Sequence, residues 1–122
     1  MRAIFDTNII IDYLNGTKAA QHEINLYKFK AISIITYIEV LVGVKDAKIK
    51  EKIKTFLESF EIIAIDQNIA NQAIPLRQQY KIKLPDALIL ATAESLNALL
   101  ISRDAKAFGG KEMPILRIPY KI

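Results

Sequence analysis

Short apolar runs bounded by polar or turn residues recur along the chain and predict five strands. They cover residues 3–5, 31–34, 62–65, 99–102 and 115–118. Longer stretches with helical spacing of apolar positions lie between the strands and predict helices at residues 8–14, 19–27, 36–44, 49–60, 70–80 and 84–98. Strands separated by helices of this length need crossover connections. The pattern therefore predicts an α/β fold with a central parallel sheet of about five strands, covered by helices on both faces.

Composition narrows the domain organisation and the chemistry. The 122 residues are 52% hydrophobic and 25% charged, which is typical of one compact domain, residues 1–122, and not of a disordered chain. The absence of Cys excludes disulfides, thiolate zinc sites and cysteine nucleophiles, and the single His22, expected at the surface, leaves little room for histidine chemistry. Catalysis would have to use carboxylates, hydroxyls, amides and basic side chains.

Hydropathy and net charge indicate the cellular location and the kind of partner. No apolar run approaches the length of a signal-peptide core or a membrane span, so we expect a cytoplasmic protein without membrane contact. A net charge of +4 favours polyanionic partners. The lysines at positions 45 to 54 are interpreted as the solvated face of a helix, with an RNA-contacting edge as the alternative.

Acidic residues follow several of the predicted strands. Asp6 comes directly after the first strand, Glu39 lies one turn into the helix after the second, and Asp104 lies two residues past the fourth. Asp86 belongs to the first turn of the helix that begins near Leu84. Because ligands collect at the carboxyl ends of strands in an open parallel sheet, we expect Asp6, Glu39 and Asp104 at one edge, joined by Asp86 if the start of its helix faces the same edge.

Each acid also has a purely structural interpretation. Thr36-x-x-Glu39 has the pattern of a capping box, and Asp86 would complement a helix dipole. Asp6 and Asp104 could each cap the helix that follows. Four separate structural explanations do not account for the expected convergence of the acids at one place. Carboxylates that lie close together repel one another unless a cation neutralises them. All-oxygen ligands favour Mg²⁺ or Mn²⁺, and such an ion suits the hydrolysis of phosphodiester bonds.

Four motifs occur in a fixed order: Phe5-Asp6-Thr7-Asn8, Thr36-x-x-Glu39, Leu84-Pro85-Asp86-Ala87-x-Ile89-x-Ala91-x-Ala93 and Leu100-Ile101-Ser102-Arg103-Asp104. In this order the chain resembles the PIN-domain ribonucleases, and most of all the VapC-type toxins of toxin-antitoxin pairs. The resemblance implies a doubly wound α/β/α sandwich, often a homodimer, that cuts RNA with Mg²⁺ or Mn²⁺. It places the catalytic and metal-binding acids at Asp6, Glu39, Asp86 and Asp104.

The resemblance also suggests roles for neighbouring residues. Asn8 would orient carboxylates by hydrogen bonds, with a local helix-start role as the alternative, and Ser102 would hold a water or support the acids. Arg103 would contact phosphate or point to solvent. Many relatives carry a further acid just before the following Phe, where this chain has Ala107, which argues against a second metal ion.

Other residues are assigned by position. Lys81 and Lys83 flank Asp86 in sequence and, with Arg103, are candidate RNA contacts. Asp12, Asp46 and Asp66 are left out of the site, because Asp12 lies well into the first helix and Asp66 fits the start of another.

A VapB-type antitoxin is the expected partner. Its Arg would fill the acidic pocket and displace the metal, while an apolar segment would lie on Tyr13, Tyr37 and the helix with Ile9 to Ile11.

Three rival functions are weighed against the nuclease. A receiver domain would need paired acids after the first strand, and an Asp-x-Asp phosphatase would need Asp at position 8, where the chain has Asn8. A PIN-fold module that binds RNA or protein without cutting remains the main alternative. All four acids are present, which favours catalysis.

Overall fold

The computed structural model describes residues 1–110 and 113–121. Its strands are β1 (Arg2–Phe5), β2 (Phe29–Ser33), β3 (Glu61–Ile63), β4 (Leu99–Ile101) and β5 (Leu116–Arg117). Its helices are α1 (Thr7–Leu14), α2 (Lys18–Asn25), α3 (Ile34–Val42), α4 (Ala47–Leu57), α5 (Gln67–Tyr80) and α6 (Leu84–Leu96), followed after β4 by a single 3-10 turn (Ala105–Phe108). The predicted α/β fold is confirmed, with element bounds that differ from the predicted ones by a few residues.

The five strands form one parallel sheet in the order β3-β2-β1-β4-β5. In the pairing of β1, Ala3 lies opposite Leu99 on one side and Lys30 on the other. The winding direction reverses between β1 and β4, and this switch point is where open α/β sheets bind ligands. The edge strands are short, with three residues in β3 and two in β5.

Two hydrophobic cores cover the two faces of the sheet, because successive side chains of a strand point to opposite sides. Ile4 and Leu100 pack with the apolar sides of α5 and α6. Phe5 and Ile101 pack on the other face, with side chains of α1 to α4 such as Leu57. This burial on both faces fixes β1 and β4, and with them the positions where each strand ends. In the described part of the chain, no helix has both the length and the apolar character that crossing a bilayer requires.

The start of α3 corrects one prediction. The helix begins at Ile34, and its cap is Ser33, whose side chain accepts a hydrogen bond from the Ile35 amide. Thr36 therefore lies inside the first turn and is fully buried. The capping-box interpretation of Thr36 and Glu39 is wrong, because Ser33 at the end of β2 already supplies the cap.

Candidate functional site

The four predicted acids line one open pocket of about 600 Å³ at the carboxyl edge of the sheet. Asp6 follows β1 and Asp104 follows β4, on the two sides of the switch point. Glu39 reaches the pocket from α3, and Asp86 from the first turn of α6. Four separate elements thus bring their carboxylates to one place, although the residues are up to 98 positions apart in the sequence.

Asp6 is buried and held on both carboxylate oxygens. Its Oδ1 accepts from the Thr7 amide at 2.8 Å, and its Oδ2 accepts from the Ser102 hydroxyl at 2.8 Å and from Asn8 Nδ2 at 3.3 Å. Burial raises the pKa of Asp6, while the hydrogen bonds from Ser102 and the Thr7 amide oppose that rise and the charge of Glu39 adds to it. The carboxylate is therefore fixed in direction. Asp6 also caps α1, so its structural and chemical roles coexist.

Asn8 and Ser102 join the strand ends of β1 and β4. Asn8 Nδ2 donates to the Ser102 hydroxyl oxygen at 3.2 Å, and Asn8 Oδ1 accepts from the Arg103 amide at 3.2 Å. The Asp104 amide donates to the same Ser102 oxygen at 3.2 Å. The loop that carries Asp104 is thereby bonded to the residues that hold Asp6.

Thr7 is a site residue that the sequence analysis missed. Its hydroxyl donates to Glu39 Oε1 at 2.7 Å and lies 3.0 Å from the Thr36 hydroxyl. Since a hydroxyl has one proton and the Thr7 proton is directed to Glu39, the Thr36 hydroxyl donates to Thr7. Thr36 and Glu39 are therefore linked by hydrogen bonds through the Thr7 hydroxyl, and not by the capping box that their spacing suggested.

Asp86 also carries an electrostatic penalty at the site, which shows in its raised pKa. Burial raises its pKa from the ordinary 3.8 to about 6, and the negative charges of Asp6 and Glu39 contribute in the same direction. The Lys83 ammonium opposes the rise. Crowded carboxylates of this kind favour the binding of a proton or a cation.

This pKa predicts a pH-dependent stability of the metal-free protein. A folded-state pKa above the unfolded value means that the folded protein binds more protons, so stability falls as pH rises from about 4 to about 6. In chelator-containing buffer, we expect Asp86→Asn to be more stable than wild type by about 1 kcal/mol at pH 7, after allowance for solvent screening, and equal near pH 4. Urea unfolding across this range measures the difference. Glu94→Gln, an exposed change farther along α6, is the control and should follow the wild-type profile. A constant difference at all pH values would contradict the prediction.

Asp104 is exposed, and its Oδ1 accepts from the Ala107 amide at 3.2 Å at the start of the 3-10 turn. The predicted cap is confirmed. Ala107 itself lines the pocket, so the position of the family's further acid presents a methyl group to the site. The pocket has no fifth carboxylate at that point.

The donor set fits a hard divalent cation. The four pocket acids offer oxygen ligands, and their mutual repulsion shows in the raised pKa of Asp86. Within residues 1–110 and 113–121, no three acidic or histidine side chains form a ready-made chelating set. A site whose carboxylates are spread apart in this way suits Mg²⁺, because Mg²⁺ keeps several waters and is commonly held by one or two carboxylates.

The basic residues near the site fall into two groups. Lys81 and Lys83 line the pocket, and so does Lys106, which the sequence analysis missed although it lies two residues after Asp104. Arg103 does not line it. Its guanidinium binds Asp12, with Nε 2.6 Å from Oδ2, so the expectation that it points simply to solvent is wrong. Its predicted contact with phosphate stays a prediction.

The residues left out of the site have structural roles in the fold. Asp66 caps α5 as predicted, and Asp46 caps α4. Asp12 is buried and accepts from Arg103 and from the Tyr120 hydroxyl at 2.8 Å. His22 is exposed, as predicted. Of the lysines of α4, Lys48, Lys50 and Lys52 are exposed and Lys54 is half-buried, which leaves both interpretations of this lysine run available.

An apolar surface adjoins the pocket. Ile9 and Ile10 are fully buried in the core, so their predicted availability to a partner is wrong, because helical geometry turns them toward the sheet. Ile11 is 40% exposed and lines the pocket, and on the neighbouring α3 Ile38 is 52% and Val42 80% exposed. Tyr13 is occupied in stacking on Phe56, at 4.6 Å between ring centroids.

Comparison with known proteins gives a consistent result. The sequence matches the family model of the PIN domain over residues 3–109. Ribonuclease VapC1 of Methanocaldococcus jannaschii is 31% identical, over 88% of this chain and 79% of that relative. A chain of a toxin-antitoxin complex from Klebsiella pneumoniae is 44% identical, with a TM-score of 0.91 over 98% of this chain and 99% of that one. A chain of VapBC2 from Rickettsia felis, bound to a DNA fragment from their promoter, is 25% identical, with a TM-score of 0.78 over 95% and 96%.

Proposed function

The chain belongs to the PIN-domain family, and from this we propose that it is a VapC-type toxin that hydrolyses RNA phosphodiester bonds with Mg²⁺ or Mn²⁺. The observation that carries the proposal is the pocket at the switch point, where four carboxylates meet with lysines beside them. One relative similar in sequence is named ribonuclease VapC1, and one structure similar in fold and sequence is that of a toxin-antitoxin complex. Both similarities support a toxin ribonuclease activity for this chain.

In this proposal, Asp6, Glu39, Asp86 and Asp104 hold the ion, some of them through its waters. When bound, a hard divalent ion polarises a phosphoryl oxygen and lowers the pKa of a water. The protein's own role is to position the carboxylates that hold the ion. Hydrogen bonds to both oxygens of Asp6, and from Thr7 to Glu39, fix the carboxylates before the ion arrives, which lowers the cost of reorganisation. Ala107, in place of a further acid, favours a single ion.

Incubation of the purified chain with RNA tests the activity. We expect cleavage with Mg²⁺ or Mn²⁺ and none in excess EDTA. Attack by water leaves no cyclic phosphate, whereas attack by the RNA's own 2′-hydroxyl leaves a 2′,3′-cyclic phosphate, so analysis of the product ends distinguishes the two reactions. RNA binding without cleavage under all metal conditions would favour the non-catalytic PIN module.

RNA binding should depend on the lysines that line the pocket. Each phosphate neutralised on a single strand contributes about 0.7 to the slope of log affinity against log salt. We therefore expect Lys81→Ala and Lys83→Ala each to flatten the slope by about 0.7, with the same effect for Lys106→Ala. Lys28→Ala is the control, since Lys28 is exposed just before the start of β2, at the opposite end of the strands. Unchanged slopes in all three variants would place the RNA path elsewhere, with the lysines of α4 next to be tested.

A VapB-type antitoxin is the proposed partner. Solved structures similar in sequence and fold include a toxin-antitoxin complex from Klebsiella pneumoniae and VapBC2 from Rickettsia felis, which supports this partner. The acidic pocket is a site for an Arg fork, and the exposed Ile11, Ile38 and Val42 beside it suit an apolar segment. Inhibition by such a partner should weaken as Mg²⁺ rises and should fail when its inserted Arg is changed to Ala. The homodimer implied by the resemblance stays a prediction, which the solution mass of the chain alone tests.

A further inference from the structure

Arg103 lies between two residues of the proposed site, Ser102 and Asp104, yet its side chain binds α1. Its Nε donates to Asp12 Oδ2 at 2.6 Å, and its Nη2 donates to Asp12 Oδ1 at 3.3 Å. The Tyr120 hydroxyl donates to the same Oδ2 at 2.8 Å. Asp12 is only 5% exposed, whereas the Arg103 side chain is 32% exposed, so the ion pair lies at the edge of the core. Its two parallel bonds give the pair a defined geometry.

The Arg103 backbone is fixed as well. Its amide donates to Asn8 Oδ1, so the loop after β4 is bonded to α1 at residue 8 and again at residue 12. Residues four apart lie on the same face of a helix, so the loop is held at two points one turn apart. Asp104 is exposed and its carboxylate bonds within its own turn, to the Ala107 amide. Its position relative to Asp6 depends on the bond from its own amide to the Ser102 hydroxyl, which in turn bonds Asp6, and on these two bonds to α1.

The C-terminal segment completes the arrangement. Arg117 in β5 donates to the buried Glu23 at 2.7 and 3.1 Å, and the Tyr27 hydroxyl donates to Glu23 at 2.8 Å. Burial opposes the charge of Glu23, but the bonds from Arg117 and Tyr27 prevail and lower its pKa. This pair anchors the segment three residues before Tyr120 and so fixes the hydroxyl that supports Asp12.

We propose that the cluster of Asp12, Arg103 and Tyr120 positions the loop of Ser102 and Asp104 and thereby sets the metal affinity of the site. The inference rests on the proposed function. It makes Arg103 a positioning residue and not a phosphate contact. A loop held in place before the ion binds loses less freedom on binding, and partners that orient metal ligands commonly change metal affinity by about 10- to 100-fold.

Calorimetric titration with Mn²⁺ tests the proposal, on variants whose fold is checked by thermal unfolding. We expect Asp12→Asn and Arg103→Met each to weaken Mn²⁺ binding by about 10-fold, and the double variant to lose no more than either single one, since both break the same contact. Arg103→Lys should also weaken it, because an ammonium cannot make the two parallel bonds. Tyr120→Phe should give a smaller loss of Mn²⁺ affinity, because it removes only one hydrogen bond to Asp12. Arg2→Met, at the opposite end of β1, is the control and should bind as wild type does.

The outcomes separate the two proposals. If Asp12→Asn does not fold, Arg103→Lys and Tyr120→Phe, which keep the charge or the volume, decide the question. Unchanged Mn²⁺ affinity in the folded variants, with a flatter salt slope for RNA in Arg103→Met, would show a phosphate contact and overturn this inference alone. A wild-type protein that binds no Mn²⁺ would overturn the proposed function as well.

Discussion

Replacing Asp86 with Asn is expected to lower RNA cleavage by about 100-fold or more while the fold is kept. Partners that only orient metal ligands account for about 10- to 100-fold in affinity or activity, so a residue proposed to hold the ion should account for at least the upper value. The amide keeps the volume of the carboxylate but removes its charge, and α6 still begins at Leu84 with Pro85 in its first turn. Single-turnover cleavage of a defined RNA in saturating Mn²⁺ measures the effect.

The control separates chemistry from folding. Glu94→Gln makes the same type of change at an exposed position of α6 and should cleave RNA at the wild-type rate. Unfolding in chelator should show Asp86→Asn to be at least as stable as wild type at pH 7, because the variant relieves repulsion with Asp6 and Glu39. Wild-type cleavage by Asp86→Asn, or full activity in EDTA, would refute the carboxylate and metal mechanism.

The second large effect is expected on partner binding. If Ile38 is a central anchor of the proposed antitoxin interface, Ile38→Asp should weaken the complex by about 30-fold or more, since the few hot-spot residues of an interface each cost about 2 kcal/mol or more when removed. Ile38 is next to Glu39 in sequence and 52% exposed, so a charge there disturbs the proposed apolar contact without entering the core. Equilibrium binding of the purified partner to the chain measures the loss.

Leu26→Asp is the matched control for this substitution. Leu26 is 53% exposed and lies after α2, near the start of β2, at the end of the strands remote from the pocket. It should bind the partner as wild type does. Equal losses in the two variants would point to a general effect of added charge, and no loss in Ile38→Asp would place the partner on another surface.

The fold could be predicted because its elements carry local signals. The helices have regular apolar spacing, and the central strands are short apolar runs that the sheet buries on both faces. The boundary between β2 and α3 could not be predicted. Ser33 and Thr36 are both residues that cap helices, and Ser33 takes the role because β2 stays paired with β3 as far as Ser33 and Ile63.

The site could be predicted in part, for a similar reason. Asp6, Glu39 and Asp104 follow from the rule that strand ends converge, which needs only the strand positions. Asp86 joins them because the start of α6 faces the same edge, which the sequence left open. The bonds that hold them carry no local signal, since Arg103 and Tyr120 are 91 and 108 positions from Asp12. The run Ile9 to Ile11 shows the same difficulty, because a hydrophobic run does not reveal which of its members the helix turns inward.

The short edges of the sheet determine how other molecules can engage this protein. An edge strand recruits an extended peptide through a row of free backbone groups, and edges of two and three residues offer too few of them for stable strand addition. Recognition must then rely on side chains displayed by helices and on the pocket between them. A synthetic ligand meant to block or release the protein should accordingly be designed as an amphipathic helix with a cationic end, and a strand mimetic should fail.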